Sequence, residues 1–388
     1  MPGPHDPSDP NDREDPSAPV AGDTGGEGGL DDQIGLCLSG GGYRAMIFHV
    51  GALWRLHETG ILATVGRISS VSGGSITNGV LAMNWPAISG TTDRAAFVEH
   101  LVNPIRKVAR ETFDRGSILA GVFLPGTVSD RITDAYREHL YGDRTLQDIP
   151  DEPRFVFNAT NVQSGALWRF SKPYMGDWRV GLVRHPKVEL ALAVAASSAF
   201  PPVLSPAKVE VDPDDFEPGS GTDLQRPPYT EEVVLSDGGV YDNLGLETVW
   251  KRCRTILVSD AGGQMEAQAE PKEDWAQHSI RVLDVIDNQV RGLRKRQLVA
   301  AYRRGDREGT YWGIRTDIAD YGLSDALPVP HARSLELAAT KTRLKAMGER
   351  RQEALINWGY AVCDAALRRH VRPDLPPPSG FPYPEVGT

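Results

Sequence analysis

The chain has 388 residues, 40 % of them hydrophobic and 24 % charged, and a formal net charge of -10. That is a globular composition with room for one large α/β domain or two smaller ones. An acidic balance argues against a general nucleic-acid binder, which needs a basic face, but it leaves room for a local basic patch toward a membrane.

No basic, then apolar, then small-residue pattern opens the sequence, so no signal peptide is expected. No apolar run approaches the roughly 20 residues that span a bilayer. The three cysteines, Cys37, Cys253 and Cys363, are far apart and lack metal-ligand spacing. They read as buried thiols of a reducing compartment. The expectation is a cytoplasmic protein, at most peripheral to a membrane.

Residues 1–31 are Pro, Gly, Asp and Ser with almost no large apolar side chain. Such a segment cannot bury enough surface to offset its ordering entropy and is expected to be a disordered tail. Order is expected to begin at "QIGLCLSGGG", where Ile34, Leu36, Cys37 and Leu38 read as a short buried strand. From about Arg44, apolar residues recur at three- and four-residue steps (Met46, Ile47, Val50, Leu53, Trp54), predicting a helix that Gly60 stops. "VGRISSV" is the next strand and residues 74–83 the next helix. Residues 93–148 read as helices joined by loops, "LPGTVSD" among them.

"RFVFNATNV" and "GALWRFSK" look like two strands, and "VELALAVAASSAF" like a helix stopped by Pro201 and Pro202. Residues 211–229 are a surface loop by composition. "EEVVLSDGG" and "RTILVSD" supply two more strands, residues 279–304 and 333–369 read as helices, and a Pro-rich tail from 371 closes the chain. Strands alternating with helices predict a three-layer α/β/α sandwich with a central, mostly parallel sheet. The expected division is a catalytic core over 32–262 and a mostly helical portion over 263–370 packed on it.

Three constellations carry chemistry. "SGGGYR", Ser39 to Arg44, lies between a strand and a helix. Its glycines let the backbone turn with several N–H groups aimed one way beside a helix N-terminus, an arrangement suited to an anion or a developing oxyanion. Gly40, Gly42 and Ala45 also fit a dinucleotide fingerprint, a weak signal because the second strand ends in serines where an acidic residue is wanted. Walker A fails for want of Gly-Lys-Ser/Thr. The bland alternative is a turn with a solvated arginine.

"SVSGG", Ser70 to Gly74, matches the G-x-S-x-G nucleophile elbow with serine at the first position. On a sharp strand-to-helix turn Ser72 is lifted above the sheet, and Ser70, Gly73 and Gly74 must be small. Ser70 is tolerable there if its φ is negative. A Ser/Gly loop alone would be the better reading, but the glycine loop about 30 residues upstream changes the balance. Adjacent parallel strands bring the two tips to one carboxyl edge, where such folds bind ligands.

"LSDGGVYDN" puts Asp237 at a strand end before two glycines. A serine needs a base to take its proton. His278, His331 and His370 follow Asp237 in the order a Ser-His-Asp triad requires, but all sit in or beside helical patterns and read as solvated or capping residues. Asp237 acting directly on Ser72 is the more economical proposal. Asp242 and Asp260 are competing carboxylates, and Asp242 with Asn243 reads as a cap.

Together "SGGGYR", "VSGGS" and "DGG" resemble the patatin-like phospholipase family, in order and approximate spacing over residues 33–262. The small-residue and proline segment "AVAASSAFPPVLSP" adds to the likeness. The resemblance implies an oxyanion hole from Gly40, Gly41, Gly42 and Arg44, a nucleophile at Ser72, and Asp237 as sole base. It implies hydrolysis of phospholipid or other lipid esters with no cofactor or metal. Ser70 departs from the elbow's usual glycine, and the C-terminal helical portion carries no matching motif.

Residues 290–307 hold seven arginines and lysines. With Val290, Leu293 and Tyr302 as its apolar face, that helix reads as a membrane-surface element or as a core-packed helix with a solvated charged side. Trp168, Trp178, Trp275 and Trp312 are candidates for interfacial insertion, most of them expected in the core. Two other functions stay open, an esterase with a Ser-His-Asp triad and a lipase-fold effector or binding protein with little intrinsic activity.

Overall fold

The computed structural model describes residues 30–113, 128–202, 204–341 and 343–388. The expected disordered tail therefore lies outside the described residues except for its last two positions. The first four residues of "LPGTVSD" lie outside them too, and its last three already belong to a helix, Val128–Tyr136, rather than to a loop.

Ten strands form one sheet: β1 (Asp31–Leu38), β2 (Val65–Ser70), β3 (Arg154–Asn161), β4 (Ala166–Phe170), β5 (Tyr174–Asp177), β6 (Gly181–Arg184), β7 (Ala207–Glu210), β8 (Glu232–Asp237), β9 (Cys253–Asp260) and β10 (Glu308–Gly313). The order β10-β9-β1-β2-β3 is parallel throughout. From β3 outward the sheet is antiparallel through β4, β5 and β6, and β8 and β7 join antiparallel as well. The sheet is thus mixed. Its parallel half follows the alternation of strands and helices in the sequence. Its other half is built from short hairpins, which need no crossover helix to reverse direction.

One feature of the register positions the site. Phe157 of β3 pairs with Ser70 of β2 and with Phe170 of β4, so β2 and β4 lie on opposite edges of β3. Ala159 pairs with Trp168 of β4 and with Asp237 of β8, so β8 lies on the β2 edge. β2 and β8 therefore run toward each other along one edge of β3, and both end where Ser72 and Asp237 stand.

The helices cover the sheet as the hydrophobic pattern demands. α1 (Gly42–Glu58) is buried from Gly42 to His57. Its outer side packs on α9 (Glu349–His370) so closely that a Cβ added at Gly51 would come within 1.9 Å of the Ile356 carbonyl oxygen, and one at Gly359 within 2.1 Å of that of Phe48. Glycine on both helices is what permits this backbone contact. α2 (Gly73–Met83) and α4 (Leu190–Ser197) pack around the end of β2, α3 (Val128–Tyr136) packs on α4 and β7, and α5 (Gly239–Asp242) and α6 (Glu247–Trp250) follow β8.

The single helix expected over 333–369 is two, α8 (His331–Ala338) and α9, and residues between them pass over the glycine loop, where the Tyr43 N–H donates to the Arg343 carbonyl (3.1 Å). The preceding helix, α7 (Trp275–Arg304), begins four residues earlier than expected because the Asp274 side chain caps it through the Gln277 N–H. The proline-rich tail packs back on the body, where the Pro376 carbonyl accepts from Arg55 (2.7 Å) and that of Pro382 from Arg94 (2.9 Å).

Candidate active site

Ser72 stands between β2 and α2 with φ 52° and ψ -122°. A non-glycine residue at positive φ is uncommon and strained, and such strain concentrates at functional turns. The turn is held by its neighbours. A Cβ at Gly73 would lie 2.1 Å from the Gly42 carbonyl oxygen, and one at Gly74 2.4 Å from that of Leu38, so any side chain at either position would push the elbow off the glycine loop. The Ser72 N–H donates to the Ser197 carbonyl at the end of α4 (3.2 Å).

Ser70 is not among the positive-φ residues, so a side chain is sterically acceptable there. It is also used. Its hydroxyl accepts from Asn78 Nδ2 (2.9 Å), contacts Ser75 Oγ (2.9 Å) and donates to the Val156 carbonyl (3.2 Å). Ser75 Oγ in turn meets Ser197 Oγ (2.8 Å), which donates to the Asn158 carbonyl (2.7 Å). This buried hydroxyl chain supports the elbow from below. Asn78 and Asn158 lie outside the motifs, and Ser75 and Ser197, which lie within "VSGGS" and "AVAASSAFPPVLSP", have no role there that the motif announces; the one further sequence signal was a polar Asn inside the apolar strand "RFVFNATNV".

Asp237 is buried, and its placement is over-determined. Its N–H donates to the Ala199 carbonyl (2.9 Å), its carbonyl accepts from Thr160 Oγ1 (2.8 Å), and its Oδ1 accepts from the Gly239 N–H (2.7 Å). Burial pushes the carboxyl up to about 7, opposed by the Gly239 N–H and by the neighbouring Ser72 hydroxyl. Oδ2 makes no hydrogen bond of ordinary geometry. The pair is therefore adjacent but not closed, as is common before substrate binds.

The glycine loop lies on the other side of Ser72. Gly41 (φ 146°) and Gly42 (φ 58°) both need conformations that side chains avoid. The Gly40 N–H is committed to the Asn243 carbonyl (3.0 Å), whereas those of Gly41 and Gly42 have no acceptor among the described residues. Arg44 does not reach the elbow. Its Nε donates to the Ala261 carbonyl (3.0 Å) and its Nη1 to that of Thr340 (2.6 Å), tying the loop to two other segments. Its Nη2 is buried without a partner, and burial lowers its pKa to about 10.

His49, one of the scattered histidines, lies beneath this loop. Its Nε2 meets the Ser39 carbonyl (2.9 Å) and its Nδ1 meets Ser259 Oγ (2.8 Å). Burial pushes it down to about 4, so it is neutral and donates one of these bonds.

The other candidates lie elsewhere. His278 faces the Lys272 carbonyl, His331 lies beside Asp317, and His370 meets the Tyr321 ring edge-on. No described histidine contacts Ser72 or Asp237. Asp242 caps the following turn by accepting from the Leu244 and Glu247 N–H groups (3.1 and 2.7 Å). Asp260 pairs with Lys295 and accepts from the Tyr311 hydroxyl (2.7 Å). Burial works against its charge, but Lys295 and Arg291 outweigh that and hold its carboxyl well below the usual range. Neither is free to serve as base.

The family model described as patatin-like phospholipase matches residues 36–250, more than half of the chain, and the protein belongs to that family. No curated protein matches the chain.

Among solved structures it is similar to the human GIVD cytosolic phospholipase A2 at 15 % identity and a TM-score of 0.41, over 59 % of this chain and 43 % of that one. A complex of that phospholipase with a methyl γ-linolenyl fluorophosphonate inhibitor and terbium chloride matches at 19 % identity and a TM-score of 0.37, over 59 % of this chain and 40 % of the other. VipD from Legionella pneumophila is similar at 17 % identity and a TM-score of 0.32, over 80 % of this chain and 66 % of the other. The chain spans less than half the length of the human phospholipase.

Proposed function

We propose that this protein is a serine acyl hydrolase that cleaves ester-linked fatty acyl chains of phospholipids or related lipid esters with a Ser72–Asp237 dyad. The observation that carries this reading is the convergence of β2 and β8 on one edge of β3, which sets a strained serine beside a buried carboxylate with no histidine among the described residues in contact with either.

Asp237 takes the Ser72 proton as Oγ attacks the ester carbonyl. The tetrahedral oxyanion is held by the free N–H groups of Gly41 and Gly42, because that of Gly40 is already occupied. Collapse expels the alcohol, which leaves with the proton that Asp237 returns. Water then attacks the acyl-enzyme, Asp237 taking its proton and Ser72 Oγ regaining one. Arg44 and His49 act as positioning residues that hold the glycine loop. A carboxyl pushed up to about 7 is matched to proton transfer near neutrality.

The lipid surface would be met by apolar residues near the site. Phe200 and Val240 are exposed within three residues of Ala199 and Asp237. The first half of α7 exposes Trp275, Leu283 and Ile286 to water, Trp275 at 84 %. The apolar face expected further along α7 is divided, since Leu293 is exposed but the Tyr302 hydroxyl donates to the Ile256 carbonyl, and on the basic side Arg294 pairs with Glu247. Trp168 and Trp312 are core residues and Trp178 is partly buried. No helix among the described residues is long and apolar enough to cross a membrane. A peripheral, cytoplasmic enzyme also suits three buried free thiols.

Acyl release from phospholipid vesicles by wild type, Ser72→Ala and Asp237→Asn tests the reading. Both folded variants are expected to lose activity. Near-wild-type turnover in either refutes the dyad, and an inactive wild type that still binds lipid favours a binding protein.

A further inference from the structure

A cleft of about 700 Å³ opens at the carboxyl ends of β9 and β10 under α7. Its lining includes Arg291, Lys295, Arg296 and Arg315, with Asp260 as the one carboxylate. Lys295 and Asp260 are paired. The three arginines are not. Arg291 donates to the Gly263 carbonyl and has no carboxylate in contact. The side chains of Arg296 and Arg315 make no hydrogen bond or ion pair with any described residue, the Arg315 carbonyl alone meeting His331 Nε2 (3.4 Å), and Arg315 Nε is buried without a partner. Asp260 and Asp287 act on Arg291, and Glu266 on Arg315, through space, but none of them closes an ion pair with those arginines.

Three guanidinium groups facing one cleft repel one another unless an anion joins them, and their planar donor forks suit phosphate oxygens. The cleft also adjoins the catalytic centre. A Cβ placed at Gly262 would lie 2.4 Å from Arg291 Nη1 and 3.1 Å from Asn243 Nδ2. One at Gly40 would lie 2.3 Å from Asn243 Oδ1 and 3.2 Å from Ser72 Cβ. Asn243, with Gly262 on one side and Gly40 on the other, links the Arg291 side of the cleft to the neighbourhood of Ser72.

We propose that Arg291, Arg296 and Arg315 form a phosphate subsite, occupied by the phosphate of the same lipid whose acyl ester lies at Ser72. The inference rests on the acyl-hydrolase reading and narrows its substrates to phosphate-bearing lipids. The same chemistry would accept free phosphate as an effector. Contiguity with Ser72 favours the headgroup.

The test compares wild type with Arg296→Gln and with Arg296→Gln/Arg315→Gln. Arg296 is exposed, so the single variant keeps the fold test simple. The substrates are a dispersed short-chain 1-acyl-glycerol-3-phosphate and the matching uncharged monoacylglycerol. Inorganic phosphate binding is read in parallel by calorimetry.

The ratio of kcat/KM for the phosphate-bearing over the uncharged ester is expected to fall by at least about tenfold in the double variant and by less in the single one. If that ratio holds, but wild type binds inorganic phosphate and the double variant does not, the subsite exists and serves a free phosphate. An unchanged ratio with no phosphate binding by wild type overturns the proposal. If wild type cleaves neither ester, the acyl-hydrolase reading fails, and calorimetry still decides whether the cleft takes phosphate.

Discussion

Replacing Asp237 by Asn should make the protein more stable and inactive, with a pH signature that only a buried base would give. Burial raises this carboxyl from 3.8 to about 7. A folded-state pKa above the unfolded value means that protonation favours the native state. The contribution is fully present below about pH 4, and is lost as pH rises through 7.

At about 1.4 kcal/mol per unit, the ionised carboxylate costs the fold about 4 kcal/mol by pH 8 relative to its protonated form. Asn is neutral throughout, and its Oδ1 can still accept the Gly239 N–H. The variant's stability advantage should therefore widen by about 3 kcal/mol between pH 5 and pH 8. Urea unfolding of both proteins at the two pH values measures this. An advantage that stays constant, or that is larger at pH 5, would mean that Asp237 is not held near 7 and would remove its qualification as base.

Other changes probe the rest of the site. Gly42→Ala forces a side chain into positive φ and within 2.9 Å of the Arg343 backbone, and should lower kcat by roughly 10²–10³ through a displaced oxyanion donor. Retained turnover in steady-state assays would mean that this N–H is not used. Ser70→Ala leaves Asn78 Nδ2 without its acceptor and should destabilise the fold by about 1–3 kcal/mol in chemical unfolding. Leu283→Asp with Ile286→Asp should reduce co-sedimentation with phospholipid vesicles, and unchanged co-sedimentation would remove α7 from the membrane contact.

Much of this site was legible because its chemistry is local. The Gly-rich turns at 40–42 and 73–74 announce tight backbone, and Asp237 sits at the end of an apolar strand, so each motif could be placed at a strand tip from the sequence alone. The direction of β8 could not. Its antiparallel approach to β3 is a long-range pairing, and the same residues would serve equally in a parallel strand. β5, β6 and β7 were missed because four-residue strands such as "YMGD" and "GLVR" carry too little alternation to stand out from loops. β10 hides behind Gly309 and Gly313 after a long basic helix.

His49 and Asn158 also carry no local signature, and Ser197 and Asn243, although they lie in motif-bearing segments, carry none for their supporting roles. Their roles arise only when distant segments meet, as when Asn243 comes between Gly40 and Gly262. The same holds for the arginine cleft, since Arg315 is 19 residues beyond Arg296 and nothing in the spacing hints that they share a cavity.

The dyad itself is tested most directly by intact-mass and peptide-level detection of a long-chain fluorophosphonate adduct. Wild type should gain one adduct, located on Ser72, and Asp237→Asn should gain it far more slowly or not at all. An adduct on another residue, or labelling of Asp237→Asn at the wild-type rate, would contradict a serine activated by that carboxylate.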